Sequence, residues 1–239
     1  MAQALAQVNP EIRHIVERLK SKQCRTVQTS GRDKQTAGRT TEQDFREAGI
    51  YERFKDVSFS SLKGVEGSIR DNAKLVFNYA KHIDKHMASG TGLILSGNYG
   101  TMKTTLAVCV LKYYMEQGGK GLFIPMCSLM DSLYTMKARN VEEWSRFEMR
   151  IRNTGLLVID DLGGEDTGAP WVASKVNSII TERYNRKKPI IITTNLTQQE
   201  LEGTYPGRLL DRLRSTSYYL SFTADSKRKT LDIKDLQDG

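Results

Sequence analysis

A chain of 239 residues, 38% of them hydrophobic and 27% charged, has enough apolar side chains for one full domain core and a short appendage. No apolar run approaches the roughly 20 residues that span a bilayer, and the N-terminus lacks the apolar block of a signal peptide, so no membrane role is expected. Three scattered cysteines (Cys24, Cys109, Cys127) without a C-x-x-C pair argue against a zinc site or a disulfide framework, and the net charge of +8 permits nucleic-acid binding without establishing it.

The first predicted element is a short helix within residues 1–25. Asn9 can cap it, Pro10 takes the first helical position, and Ile12, Ile15, Val16 and Leu19 recur at helical spacing. This stripe must be buried, either on the chain's own core or on a partner. Residues 26–43, rich in Thr, Gln, Gly and Arg, read as a polar linker, which leaves 44–239 as the core domain.

From there strand and helix patterns alternate. The predicted strands are LILSG (93–97), GLFIPM (121–126), LLVID (156–160), PIIITTN (189–195) and YYLSFT (218–223). Most lack a polar face, as strands covered by helices on both sides do. Helical spacing links Ile69, Phe77, Ala80 and Ile83; Leu129, Leu133 and Met136; and Val172, Val176, Ile179 and Ile180. The alternation predicts an α/β fold with a mostly parallel five-stranded sheet between helices.

After the first strand comes GNYGTMKTT, close to the phosphate-loop pattern G-x-x-x-x-G-K-[ST] and in the strand–turn–helix context that pattern requires. Backbone N–H groups across Gly97, Asn98, Tyr99, Gly100, Thr101, Met102, Lys103, Thr104 and Thr105 would surround phosphates at a helix N-terminus. Lys103 would reach the outer phosphates and Thr104 would place its hydroxyl on Mg2+. Met102 occupies the place of the second glycine; its Cβ requires the loop to open or the side chain to turn away, while its N–H remains available.

LLVIDDLGG ends an apolar strand on Asp160 and Asp161, the first suited to holding Mg2+ and the second to orienting or deprotonating an attacking water. Asn195, ending the next strand, is placed either to contact water near a terminal phosphate or simply to begin a turn. Arg208, Arg212 and Arg214 follow in GRLLDRLRST. For nucleic acid the candidates are Lys137, Arg139, Arg146, Arg150 and Arg152, with Trp171. Trp144 and Phe147 share helical spacing with Val141 and Ile151 and read as core instead.

Taken in order, AGIYERFKDVSFSSL, GNYGTMKTTLA, LLVIDDLGGED, NSIITERYNRKKPIIITTNLTQQEL and GRLLDRL with DSKRK resemble the AAA+ ATPases. Within them they resemble the DnaC/DnaI-type helicase loaders and their IstB-like relatives, over roughly residues 45–230. The resemblance implies a P-loop fold without a C-terminal helical lid and ATP with Mg2+ as ligands. It implies Walker A roles for Lys103 and Thr104, Walker B roles for Asp160 and Asp161, and a sensor role for Asn195. Arg212 would complete a neighbouring subunit's site, and Arg228 would contact nucleotide in the same subunit. It further implies a replicative DNA helicase and single-stranded DNA as partners, with residues 1–25 as the partner-binding arm and Ile12, Ile15, Val16 and Leu19 as its partner face. Self-association through shared ATP sites and a bacterial cytoplasm, with a chromosomal or phage gene, are implied as well. The IstB-like alternative is regulation of a DNA transposase; a third is an ATP-binding adaptor that Met102 has stopped from hydrolysing.

Overall fold

The computed structural model describes residues 40–62, 67–139, 141–164 and 170–227. The N-terminal helix with Ile12, Ile15, Val16 and Leu19, Arg228, and the side chains of Lys137, Arg139 and Trp171 lie outside the described residues.

Helix α1 (Glu42–Glu47) starts at a capping box: the Asp44 amide donates to Thr41 Oγ1, and the Thr41 amide returns a 2.6 Å bond to Asp44 Oδ2. These bonds hold the Asp44 carboxyl below the usual carboxylate range. Thr40 already belongs to the packed structure, its hydroxyl donating to Met115 O at 2.9 Å. A 3-10 turn (Glu52–Phe54) leads to α2 (Gly67–Lys81) and α3 (Ile83–Ser89). The periodicity running from Ile69 to Ile83 is thus divided between two helices at His82.

The rest alternates: β1 (Gly92–Gly97), α4 (Lys103–Glu116), β2 (Gly121–Pro125), α5 (Met126–Arg139), α6 (Val141–Asn153), β3 (Leu156–Leu162), α7 (Pro170–Asn185), β4 (Ile190–Thr194), α8 (Gln198–Thr204), α9 (Gly207–Thr216) and β5 (Ser217–Phe222). The strands form one sheet in the order β2-β3-β4-β1-β5, and every pairing is parallel. β4 is central, and β1 lies between it and the edge strand β5.

Alternation along the strands divides the core in two. Leu93, Leu95, Phe123, Val158 and Ile191 face a layer with α2 and α4; Ile94, Ile124, Ile159, Ile190 and Ile192 face a layer with α5, α7 and α9. This is why the inner strands carry no polar face, whereas edge strand β5 leaves Tyr218 and Tyr219 exposed. Val172, Val176, Ile179 and Ile180 are all buried, as their spacing predicts.

Two contacts occupy the outer strands. Phe123 N donates to Ala48 O at 2.7 Å on the β2 edge, where a Cβ on Gly49 would lie 2.3 Å from Phe123 O. On β5, Asn72 Nδ2 donates to Ser221 O at 2.7 Å.

At the N-terminal end of the sheet, fully buried Arg183 donates to the carbonyls of Ile151, Thr154, Gly155 and Pro189 at 2.8–2.9 Å, joining the end of α6 to the starts of β3 and β4. Burial pushes its guanidinium down to about 9.

Candidate active site

The C-terminal ends of β1, β3 and β4 open into a crevice of about 760 Å³, the position where open α/β sheets bind ligands. Tyr99–Thr105, Asp160, Asp161, Thr193 and Asn195 line it, together with Arg53, Phe54 and Lys227.

The loop after β1 folds as its glycines demand. Gly97 has φ +134°, and a Cβ there would stand 2.0 Å from Phe222 O. Asn98 N donates to Phe222 O at 3.0 Å, and Lys227 N to Gly100 O at 2.9 Å, so the chain after β5 braces the loop. Met102 adopts φ 70°, ψ 14°, the left-handed conformation that glycine takes without strain. The loop therefore does not open to admit methionine; the residue accepts the glycine conformation. Met102 stands at the N-cap of α4, and no side chain caps the helix there, which leaves first-turn amides and the positive end of the dipole facing the crevice.

Lys103 is only 6% exposed. Its Nζ donates to Gly97 O and Asn98 O, both at 2.7 Å, and to Asn195 Oδ1 at 2.9 Å. Gly97 and Asn98 thus form the floor of the loop and orient the lysine, while Tyr99, 69% exposed, stands at its rim.

Successive residues of a regular strand point to opposite faces, so two consecutive acids should not both reach one crevice. A β-bulge solves this. Ile159 pairs with Ile192 and Leu162 with Thr194, so Asp160 and Asp161 together oppose Thr193, and Asp161 turns to φ 60°. The Asp161 amide donates to Thr193 Oγ1 at 2.9 Å, and that hydroxyl donates to Asp160 Oδ1 at 2.5 Å. Burial holds the Asp160 carboxyl above its ordinary range; hydrogen bonds from Thr193 and Thr104 oppose the shift, and the Asp161 charge adds to it.

Asn195 joins the halves of the site. Its Oδ1 accepts from Lys103, and its Nδ2 donates to Asp161 Oδ1 at 2.5 Å. A residue that only began a turn would not be bonded to both.

The donors suit a metal that arrives with phosphate. Thr104 and Asp160 would provide one hydroxyl and one carboxylate to Mg2+, a metal otherwise held by substrate phosphates and water. Among the described residues no cluster of three or more His, Cys, Asp and Glu could hold a metal by itself.

Arg212 is not part of this crevice. It lies half-buried on α9, donating to Arg208 O at 3.3 Å and reaching Asn177 Oδ1 of α7 at 3.5 Å. Of the nucleic-acid candidates, Arg152 is withdrawn: its guanidinium is occupied by Glu148 and Glu182 between α6 and α7. Arg150 donates to Glu47 O, and exposed Arg146 pairs with Glu142 at 3.1 Å. Trp144 and Phe147 pack on the core, with the Lys175 ammonium 4.8 Å from the Trp144 ring centre.

Sequence reasoning missed Thr193, Arg53, Phe54 and Lys227. The signal for Thr193 was its hydroxyl in the otherwise apolar run IIITT; the other three reach the crevice only through the tertiary fold.

The chain is similar to known proteins in sequence and in fold. The replicative helicase loader DnaC of Escherichia coli is 24% identical over 211 residues, which span 87% of this chain and 84% of that protein. The crystal structure of the DnaC helicase loader superposes with a TM-score of 0.65 at 24% identity, covering 72% of this chain and 100% of the other. DnaI superposes with a TM-score of 0.61 at 18% identity, covering 74% and 94%. Both structures share the parallel α/β architecture of this chain. The family model of the IstB-like ATP binding proteins matches residues 72–234, and the chain belongs to that family.

Proposed function

We propose that this protein is an ATPase that loads the replicative DNA helicase, binding helicase and single-stranded DNA and changing its hold on them as ATP turns over. The observation that carries the ATPase reading is the Asn195 bridge, which ties the phosphate-loop ammonium to a carboxylate in one crevice. The similarity to DnaC over most of both chains carries the loader reading.

The loop amides of Tyr99–Thr104 and the Lys103 ammonium would hold the phosphates. Thr104 and Asp160 would hold Mg2+, which when bound neutralises charge developing on the phosphoryl oxygens. Asp161, held by Asn195, accepts a hydrogen bond from the attacking water and takes its proton. Arg212 does not line its own crevice, as suits a side chain that would act on the site of a neighbouring copy.

The test is ATP hydrolysis by the full chain with and without hexameric replicative helicase and single-stranded DNA, beside Lys103→Ala. Stimulation by both partners, absent in the variant, is expected; helicase that neither binds nor stimulates removes the loader reading. The family match also supports a second reading, regulation of a DNA transposase. Retention on immobilised transposase with none on helicase selects that reading.

A further inference from the structure

Lys112 lies on α4, nine residues beyond Lys103 and so about 13 Å further along the helix axis. It is 7% exposed. Among the described residues no carboxylate forms an ion pair with it. Its Nζ donates to Lys55 O at 2.6 Å and to Phe54 O at 3.4 Å, and stands 4.8 Å over the Phe45 ring. Glu116, one turn on, acts on it only at a distance. A buried ammonium without a direct ion pair is costly, and an apolar side chain would fill the same space with less desolvation. What the ammonium adds is a hold on two successive carbonyls.

Those carbonyls belong to the end of the 3-10 turn Glu52–Phe54, a three-residue element with little ability to keep its own shape. The turn delivers Arg53 and Phe54 to the crevice. Phe54 also leans on Phe123, ring centres 6.2 Å apart, so its ring is positioned by contacts behind the crevice. Phosphates belong at the Lys103 end, where the amides and the acids are. The Phe54 wall has an aromatic face and offers a place for the flat base at the other end of a nucleotide.

We propose that Lys112 is a positioning residue for the base-side wall: by clamping the carbonyls of Phe54 and Lys55 it fixes that wall to the same helix whose N-terminus holds the phosphates. The helix then sets the distance between the two ends of the nucleotide. This inference rests on the nucleotide reading given above.

The test compares Mg·ATP with inorganic tripolyphosphate, which carries the phosphates without a base. Binding of each to the full chain is measured by calorimetry or by competition, for wild type, Lys112→Met and Phe54→Ala. Lys112→Met keeps the apolar stem and removes the clamp. Both variants are expected to weaken ATP about tenfold, with tripolyphosphate affinity nearly unchanged. Equal loss of both ligands in Lys112→Met means a general structural role and overturns the proposal, as does unchanged ATP affinity. Should Lys112→Met not fold, Phe54→Ala still decides, because an unaltered ratio of ATP to tripolyphosphate affinity shows that the wall meets no base. Failure of wild type to bind either ligand brings down the nucleotide reading, and this inference with it; wild-type binding with insensitive variants brings down this inference alone.

Discussion

Thr193 Oγ1 stands 2.5 Å from Asp160 Oδ1 and accepts the amide of Asp161 at 2.9 Å, so one hydroxyl holds both halves of the acid pair. Thr193→Val keeps the shape and leaves the Asp161 amide without this partner. A loss of about 1–2 kcal/mol in denaturant unfolding is expected, with turnover reduced more than about tenfold. Thr193→Ser should restore turnover. Full activity in the valine variant would mean that the bulge holds without the hydroxyl.

Asp160 makes stability and function oppose each other. Burial raises its carboxyl pKa in the folded chain, so the folded state binds the proton more tightly than the unfolded state. This group therefore favours folding least when ionised: its contribution falls as pH climbs from about 3.9, the unfolded value, through the raised folded value. Asp160→Asn removes that penalty. Its melting temperature should equal or exceed that of wild type at pH 7, the gap closing toward pH 4, while Mg2+-dependent hydrolysis is lost. A variant that melts below wild type at neutral pH contradicts this account.

Met102→Gly puts glycine at φ 70°. Relief of left-handed strain, about 1–2 kcal/mol, is offset by the freer unfolded chain, about 0.5–1 kcal/mol, so stability should rise by about 1.5 kcal/mol or less. ATP affinity should rise roughly three- to tenfold because the Cβ and thioether leave the cradle. Calorimetry with Mg·ATP reads the second effect. Wild type no more active than Lys103→Ala, beside a Met102→Gly variant that turns ATP over, would establish the non-hydrolysing adaptor.

Arg212→Ala should leave ATP binding by isolated monomers within about twofold and lower the hydrolysis rate of assembled protein at least about 100-fold. Titrating activity against protein concentration separates the two. Weakened monomer binding would place this arginine in its own subunit's site.

What the sequence discloses follows the range of the interactions involved. Strands β1–β4 are visible because each is built on a short apolar run, β5 because of its aromatic residues, and the phosphate loop because all its parts lie within nine residues. Asp160 and Asp161 are visible as a pair, but the bulge that brings both into the crevice is a register shift against β4 and has no local mark. Arg53 and Phe54 lie some fifty residues before the loop they face. Arg183, in the charged stretch ERYNRKK, has the composition of a solvated surface; its burial follows from four carbonyls that only the assembled fold brings together.

The plugs on β2 and β5 bear on how copies of this chain meet. An exposed outer strand invites an incoming segment to zip onto its free backbone groups. Here such a segment would first have to evict the Ala48 carbonyl on one side or the Asn72 amide on the other. Growth by strand-swapping or amyloid-like stacking is thereby discouraged, so that any contact between copies falls to side chains rather than to backbone pairing.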